Sequence, residues 1–476
     1  MTVEKVDDYL DVIRNGIGRR FGDARPRKVV IVGAGVAGLV AGYELLAAGH
    51  EPLILEAQQR VGGRILTLRE PFAPGLYAEA GAMRIPRAHH LTVAYVEKFG
   101  LPTRDFVMGN PQAYCFMGGV KRRLAEVARN PDALGFETGP HERGKTAAQL
   151  WDDAIKPLVA RIDAEGDAAW DEIAAKYDEY SIREFLELNK WSEGAIEMFG
   201  LMENQEAMMN TSFLECFREE AGHYYTNMME IVGGMENLPL AFLPELRPYI
   251  RFGARMTALD QTPEKAIVHY ETTAGRFKAD GDYLIVTVPF PVLRHVEVLH
   301  PFPRAKQRAI RQLHYDASAK IFFQTRDRFW ETEDGIIGGG TVTDLPIRNL
   351  YYTNYGRETG RGVMLASYTW SEDAQRWGSL SPENRIVQAL EDVEQIHPQI
   401  RGSFEAGASK MWHDDEYAGG AFALFDPGQQ TLLYDEIVKP EGRIYFAGEH
   451  ASLYHAWIQG AIESGLRAAI AIHQRH

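Results

Sequence analysis

KVVIVGAGVAGLVAGYELLAAGHEPLILE, residues 28–56, decides how this chain is read. The apolar run Val29-Val30-Ile31-Val32, with charge before it and glycine after it, predicts a fully buried parallel strand. Gly33-x-Gly35-x-x-Gly38 then opens a helix-compatible run that ends near Gly49. A second apolar run, Leu53-Ile54-Leu55, delivers Glu56. Each residue type has a job in a dinucleotide site. Gly33 permits the tight turn, Gly35 lets a pyrophosphate approach the backbone, and Gly38 lets helix pack on strand. The helix N-terminus offers unpaired N–H groups and the positive end of a dipole to phosphates. Glu56, 21 residues past Gly35, stands where a carboxylate accepts from a ribose hydroxyl pair. An acid there disfavours a 2′-phosphate, which leaves FAD and NAD open.

Outward from this unit, the 476 residues exceed one hydrophobic core, so two or three domains are expected. A net charge of -15 argues against nucleic acid or an anionic membrane as partner. The two cysteines, Cys115 and Cys216, form no CxxC and no metal-ligand spacing, which excludes a disulfide framework and predicts no metal site. No signal-peptide h-region and no membrane-length apolar run is present, so a cytoplasmic protein is expected.

In chain order, residues 3 to about 20 predict an amphipathic helix with Val6, Leu10, Ile13 and Ile17 on one stripe. Arg60-Val61-Gly62-Gly63-Arg64 suits a backbone passing close to phosphates, with a guanidinium free to neutralise them. A glycine knot follows at Glu79-Ala80-Gly81-Ala82-Met83-Arg84. From about 126 to 222 apolar residues recur at helical spacing. Between Trp151 and Lys190, 11 acidic and 5 basic residues read as solvated helix faces in a helical insertion. Ile231-Val232-Gly233-Gly234-Met235 precedes a helix, while Ala266–Tyr270 and Tyr283–Val288 read as strands. Residues from about 315 to 430 suggest a second sheet. Arg443-Ile444-Tyr445-Phe446 and Ala447-Gly448-Glu449 repeat the opening theme before a last helix, which would return beside the first unit.

Four separated motifs, GAGVAGL with Glu56, RVGGR at 60–64, IVGGMENLP at 231–239 and RIYFAGEH at 443–450, resemble the flavin amine oxidase family. EAGAMRIP at 79–86 resembles its L-amino-acid oxidase branch. The resemblance implies an α/β chain: a two-dinucleotide-binding-type FAD domain (25–66, 233–312 and 436–476), an α+β substrate domain (3–22, 67–125, 223–232 and 313–435) and a helical domain (126–222). Within it Arg84 corresponds to the arginine that grips the substrate carboxylate, Tyr368 to the phenol sharing it, and Lys320 to the lysine holding a water near flavin N5. Phe422 and Trp457 correspond to the aromatics flanking the substrate, and Ala456 to the backbone carbonyl facing the amine. Contacts to FAD are implied for Gly33, Gly35, Val36, Ala37, Gly38, Glu56, Ala57, Gly63, Arg64, Gly81, Ala82, Met83, Arg84, Met256, Trp412, Gly448, Glu449, Trp457 and Ile458. Ala421 stands where monoamine oxidases carry the cysteine that bonds FAD, so the flavin is expected to be non-covalent.

The implied reaction is oxidative deamination of an L-amino acid by hydride transfer from Cα to flavin N5. It gives a 2-oxo acid, ammonia and, with dioxygen, hydrogen peroxide. Arg84 would bind the carboxylate through two charge-assisted hydrogen bonds, with Tyr368 adding a third. His455 is expected to be a satisfied or partly exposed histidine rather than a general base. Glu203 or Glu206 could select basic side chains, whereas the aromatic and methionine content favours large neutral ones. An amino-acid 2-monooxygenase, a monoamine or polyamine oxidase, and a flavin- or NAD-binding protein without turnover are the alternatives. The resemblance also implies a homodimer or a higher homo-oligomer.

Overall fold

The strand Lys28–Val32 lies in the middle of a five-stranded parallel sheet ordered Ile250–Arg251, Glu51–Leu55, Lys28–Val32, Tyr283–Val286, Ile444–Phe446. In this computed structural model, which describes residues 3–22 and 24–475, Val30 stands opposite Leu53 on one side and Leu284 on the other. Strands buried on both faces carry continuous apolar runs, and Val29–Val32, Tyr283–Val286 and Ile444–Phe446 are buried throughout. The second of these ends at Val286, two residues earlier than its sequence suggests. The helix Val36–Ala47 covers this sheet together with the last helix, Ile458–His473, so the chain's tail does return to its opening unit. A Cβ at Gly38 would lie 2.0 Å from the Gly33 carbonyl oxygen, so only glycine allows this helix to sit on the turn.

A seven-stranded sheet, ordered Phe404–Met411, Ser318–Thr325, Gly362–Trp370, Asn349–Tyr352, Gly340–Thr343, Tyr114–Met117, Val120–Arg123, forms the second large layer. A four-stranded sheet built on Arg255–Gln261, Ala266–Thr272 and Gly275–Gly281 flanks the parallel one. Between them the short ladder Ile85–Pro86, Met228–Ile231, Thr103–Asp105 joins segments far apart in sequence. Helices from Ala147–Glu165 to Phe213–Ala221 share an aromatic core of Trp151, Phe185, Phe199, Phe213 and Phe217. The chain is thus mixed α/β, as expected.

The N-terminal helix, Val3–Asn15, brings Ile13 of the expected stripe into the core, followed by Ile17, and adds Tyr9 and Val12. Val6 and Leu10 remain half-buried. Among the described residues no helix is long and apolar enough to cross a membrane, and no His, Cys, Asp and Glu cluster could hold a metal ion.

Candidate active site

A single cavity of about 880 Å³ runs from the Gly33–Gly35 turn to Arg84 and Trp457. Every residue assigned to FAD or to the substrate's carboxylate and amine lines it except Gly38, which packs behind the turn. At one end the helix Val36–Ala47 begins at Gly35 without a side-chain cap, leaving its first N–H groups for a ligand. Nothing lies within 4 Å of where a Gly35 Cβ would stand. This is the open cradle that a pyrophosphate needs, so the residues present fit a dinucleotide.

Glu56 is buried at the end of its strand and accepts the Ala34 N–H at 2.6 Å and the Gln58 N–H at 2.8 Å. Burial raises its pKa and those two N–H bonds oppose the shift. Each oxygen keeps a lone pair for a further donor. Arg64 lines the cavity and is partly engaged: its Nη1 bonds Glu449 at 2.7 Å and the Ala421 carbonyl at 3.0 Å, over the Tyr315 ring. Arg60 is spent on the carbonyls of Val61, Gly63 and Ile65. A guanidinium enclosed among carbonyls satisfies the nearest acceptors first. Glu449 is a hub, also accepting from Ala423 N at 3.2 Å and Ala456 N at 3.1 Å.

At the other end, sheet register explains which residues meet. Lys320 and Tyr368, distant in sequence, stand directly opposite each other in one antiparallel ladder, with the Lys320 ammonium nitrogen 4.5 Å from the Tyr368 ring centre. Lys320 donates to the Gly81 carbonyl at 2.7 Å and the Glu79 carbonyl at 3.1 Å. Its pKa is pushed down to about 7 by burial and then by Arg84, against the pull of Glu79. Burial pushes the Tyr368 hydroxyl up to about 12, which keeps it a neutral donor. Trp412 is fixed by its indole N–H on the Ala80 carbonyl at 2.7 Å. Phe422 pairs with Asp316 in a short ladder, and Ala456 holds a left-handed φ of 64°.

Arg84 precedes the strand Ile85–Pro86, whose pairing with Met228 and Met229 brings Tyr225 alongside it. Its guanidinium carbon lies 5.6 Å from the Tyr225 ring, 5.8 Å from Phe106 and 5.9 Å from Tyr351. Its Nη1 rests 3.2 Å from the Met108 sulfur. Among the described residues no carboxylate pairs with it. Tyr225, Tyr351 and Glu219 carry no motif in the sequence: Tyr225 lies in a turn, Tyr351 in a strand and Glu219 in a helix. Glu203 also lines the cavity, whereas Glu206 does not and pairs with Arg348 outside it. Burial pushes Glu203 and Glu220 each up to about 7. His455 is buried and half satisfied: its Nδ1 meets Glu215 at 3.0 Å, while its Nε2 has no partner among the described residues.

The family model described as flavin containing amine oxidoreductase matches residues 36–473. The YobN protein of Bacillus subtilis (strain 168), whose name as an L-amino-acid oxidase is provisional, is 41% identical over 480 residues, covering 98% of each chain. An L-amino-acid oxidase of Pseudechis australis is 34% identical over 97% of this chain and 89% of that protein. Among solved structures, a putrescine oxidase bound to putrescine superposes with a TM-score of 0.75 at 22% identity, covering 95% of this chain and 100% of the other. The cyclohexylamine oxidase of Brevibacterium oxydans IH-35A gives 0.73 at 17% identity over 94% of this chain and 99% of that one. These two share the fold.

Proposed function

The chain belongs to the flavin containing amine oxidoreductase family, and from that premise we propose that it oxidises L-amino acids to 2-oxo acids, releasing ammonia and hydrogen peroxide. Its cofactor is FAD. The observation that carries the amino-acid reading is Arg84, a guanidinium walled by three aromatic rings and a thioether. A cation enclosed without a counter-charge is costly unless a ligand supplies one. An α-carboxylate does so through two charge-assisted hydrogen bonds. The L-amino-acid oxidase names of full-length relatives support the same reading.

The Gly35–Ala37 helix start would hold the pyrophosphate of FAD, Glu56 the ribose, and Met256, Trp412, Gly448 and Ile458 the remainder. With Ala421 after the Gly419-Gly420 pair, no thiol is available there for a covalent link. When bound, FAD takes two electrons and the Cα hydrogen from the substrate and passes the electrons to dioxygen. The chain's own residues orient the substrate. Arg84 and the neutral Tyr368 hydroxyl hold its carboxylate. Phe422 and Trp457 wall the amine and exclude water, and the Ala456 carbonyl accepts one amine N–H. Lys320, with a pKa near neutrality, holds or releases a proton at Nζ beside the Gly81 turn. No further base is required when the amine arrives deprotonated.

An aerobic peroxide assay over the twenty L-amino acids and their D-enantiomers, with product identification, tests this proposal. Peroxide with 2-oxo acid from L-enantiomers is the expected result. An amide product, or turnover confined to amines lacking a carboxylate, would overturn it.

A further inference from the structure

Glu219 lies in the last turn of the helix Phe213–Ala221 and faces the cavity. Its Oε1 accepts the Trp457 indole N–H at 2.6 Å, and its Oε2 accepts the Tyr225 hydroxyl at 2.6 Å. These partners serve opposite ends of the substrate space. Trp457 immediately precedes the final helix and packs edge-on against His89 at 5.0 Å. Tyr225 sits three residues before the strand Met228–Ile231 and lays its ring beside Arg84 at 5.6 Å. One carboxylate thus bridges the aromatic wall and the cage around the guanidinium, using one short bond to each. Both donors are neutral, and Glu219 makes no ion pair with Arg84, although the guanidinium's charge opposes the rise that burial imposes on its carboxyl.

We propose that Glu219 is a positioning residue that holds Trp457 and, through Tyr225, Arg84 in one relative geometry, so that the amine and carboxylate ends of a substrate are registered together. The inference rests on the amino-acid reading of the site. Its physical basis is that reacting groups must be held to within a fraction of an ångström by neighbours whose own rotamers are fixed. The Tyr225 and Trp457 rings also pack edge-on at 5.9 Å, and Glu219 is the one acceptor their hydrogen bonds share among the described residues. The helix that carries Glu219 therefore sets the spacing of the clamp as well as walling the cavity. Each carboxylate oxygen accepts from one of the two donors.

The test uses the FAD-loaded full chain with Glu219→Ala, Glu219→Gln and Tyr225→Phe. Gln offers an oxygen to the indole and an N–H to the phenol oxygen, so it keeps the bridge while removing the charge. Glu219→Ala should lower kcat/KM for L-amino acids roughly 10- to 100-fold, the loss of hydrogen bonds to a charged group. Glu219→Gln should stay within about threefold of the parent and keep the parent's pH profile. Tyr225→Phe removes a single hydroxyl and serves if the alanine variant does not fold. It should lose activity to a smaller degree, and combining it with Glu219→Ala should add less than the two single effects together. Flavin absorbance per chain should be unchanged in all of them.

Alanine within about twofold of the parent, Gln falling as far as Ala, or fully additive Tyr225 and Glu219 effects would overturn the positioning role. A Gln variant as impaired as Ala with a displaced pH profile would assign Glu219 to charge rather than geometry. Failure of the amino-acid reading is separately visible: the parent would oxidise 2-phenylethylamine and no L-amino acid. On that amine the Trp457 arm alone would still respond to Glu219→Ala.

Discussion

At the Gly33–Glu56 end of the cavity the charged side chains are already engaged within the chain, whereas at the Arg84–Trp457 end the Arg84 guanidinium has no carboxylate paired with it among the described residues. Glu56 holds two backbone N–H groups, Arg64 is paired with Glu449, and Arg60 is surrounded by carbonyls. Arg84 has aromatic rings and a thioether around it, and Glu203 and Glu220 have pKa values raised by burial to about 7. Backbone conformation divides in the same way. The left-handed residues of the first end are glycines (Gly33, Gly63 and Gly448), while the second uses Ala456 at φ 64°. A cofactor that stays bound can be met by backbone N–H groups and open space. A charged ligand that comes and goes is met by a counter-charge left waiting in a low-dielectric site, where the interaction is strongest.

Breaking this contrast at the substrate end should have the largest effect. Arg84→Met removes the cation and keeps the bulk, and truncating one side of an enclosed charge pair costs roughly 2–5 kcal/mol. Steady-state kinetics should show kcat/KM for L-amino acids falling about 30- to 3,000-fold, with flavin content unchanged. Loss of flavin would place Arg84 in the cofactor end instead. The converse change, Gly81→Ala, should strike both ends together. Its Cβ would lie 1.9 Å from the Arg64 carbonyl oxygen, so the turn carrying Lys320's acceptor must move. A cost at or above the roughly 1–3 kcal/mol typical of overpacking is expected, read as a lower Tm and reduced flavin per chain.

Glu79, beneath that turn, links the comparison to pH. Burial pushes its carboxyl from 4.5 up to about 7, opposed by the Met235 N–H, the Thr67 hydroxyl and Lys320. The native state therefore holds a proton that the unfolded chain has lost. The stability from this group is full below about pH 4.5 and disappears as pH rises through about 7. Tm should fall with pH between about 5 and 7, and less steeply in Glu79→Gln. An equal slope in both proteins would remove Glu79 from that role. The smallest effect should come from Ala456→Gly, which relieves the left-handed backbone. A gain of up to about 1 kcal/mol in stability is expected by thermal unfolding, without a gain in kcat/KM.

The two ends also differed in how much could be read beforehand. The cofactor end is written in contiguous residues, 28–56, because turn, helix start and acid are all demands on one strand–helix–strand unit. Lys320, Tyr368 and Trp457 were reachable through local motif likeness, and the ladder pairing Lys320 with Tyr368 accounts for their meeting. Tyr225, Tyr351 and Glu219 carry no such mark. Tyr225 is brought to Arg84 by a strand pairing across more than a hundred residues, and Glu219 resembles any acid on a solvated helix face. Arg64 is the opposite case: its motif shows the charge, while its partner Glu449 lies nearly four hundred residues away.

The central claim is that the unpaired Arg84 selects a carboxylate. It is tested most directly by the ratio of kcat/KM for L-phenylalanine to that for 2-phenylethylamine, which differ by the carboxylate alone. A waiting guanidinium predicts a preference for the amino acid of at least about 30-fold, the lower bound of an enclosed charge pair. Equal turnover of the two, or preference for the amine, would contradict it.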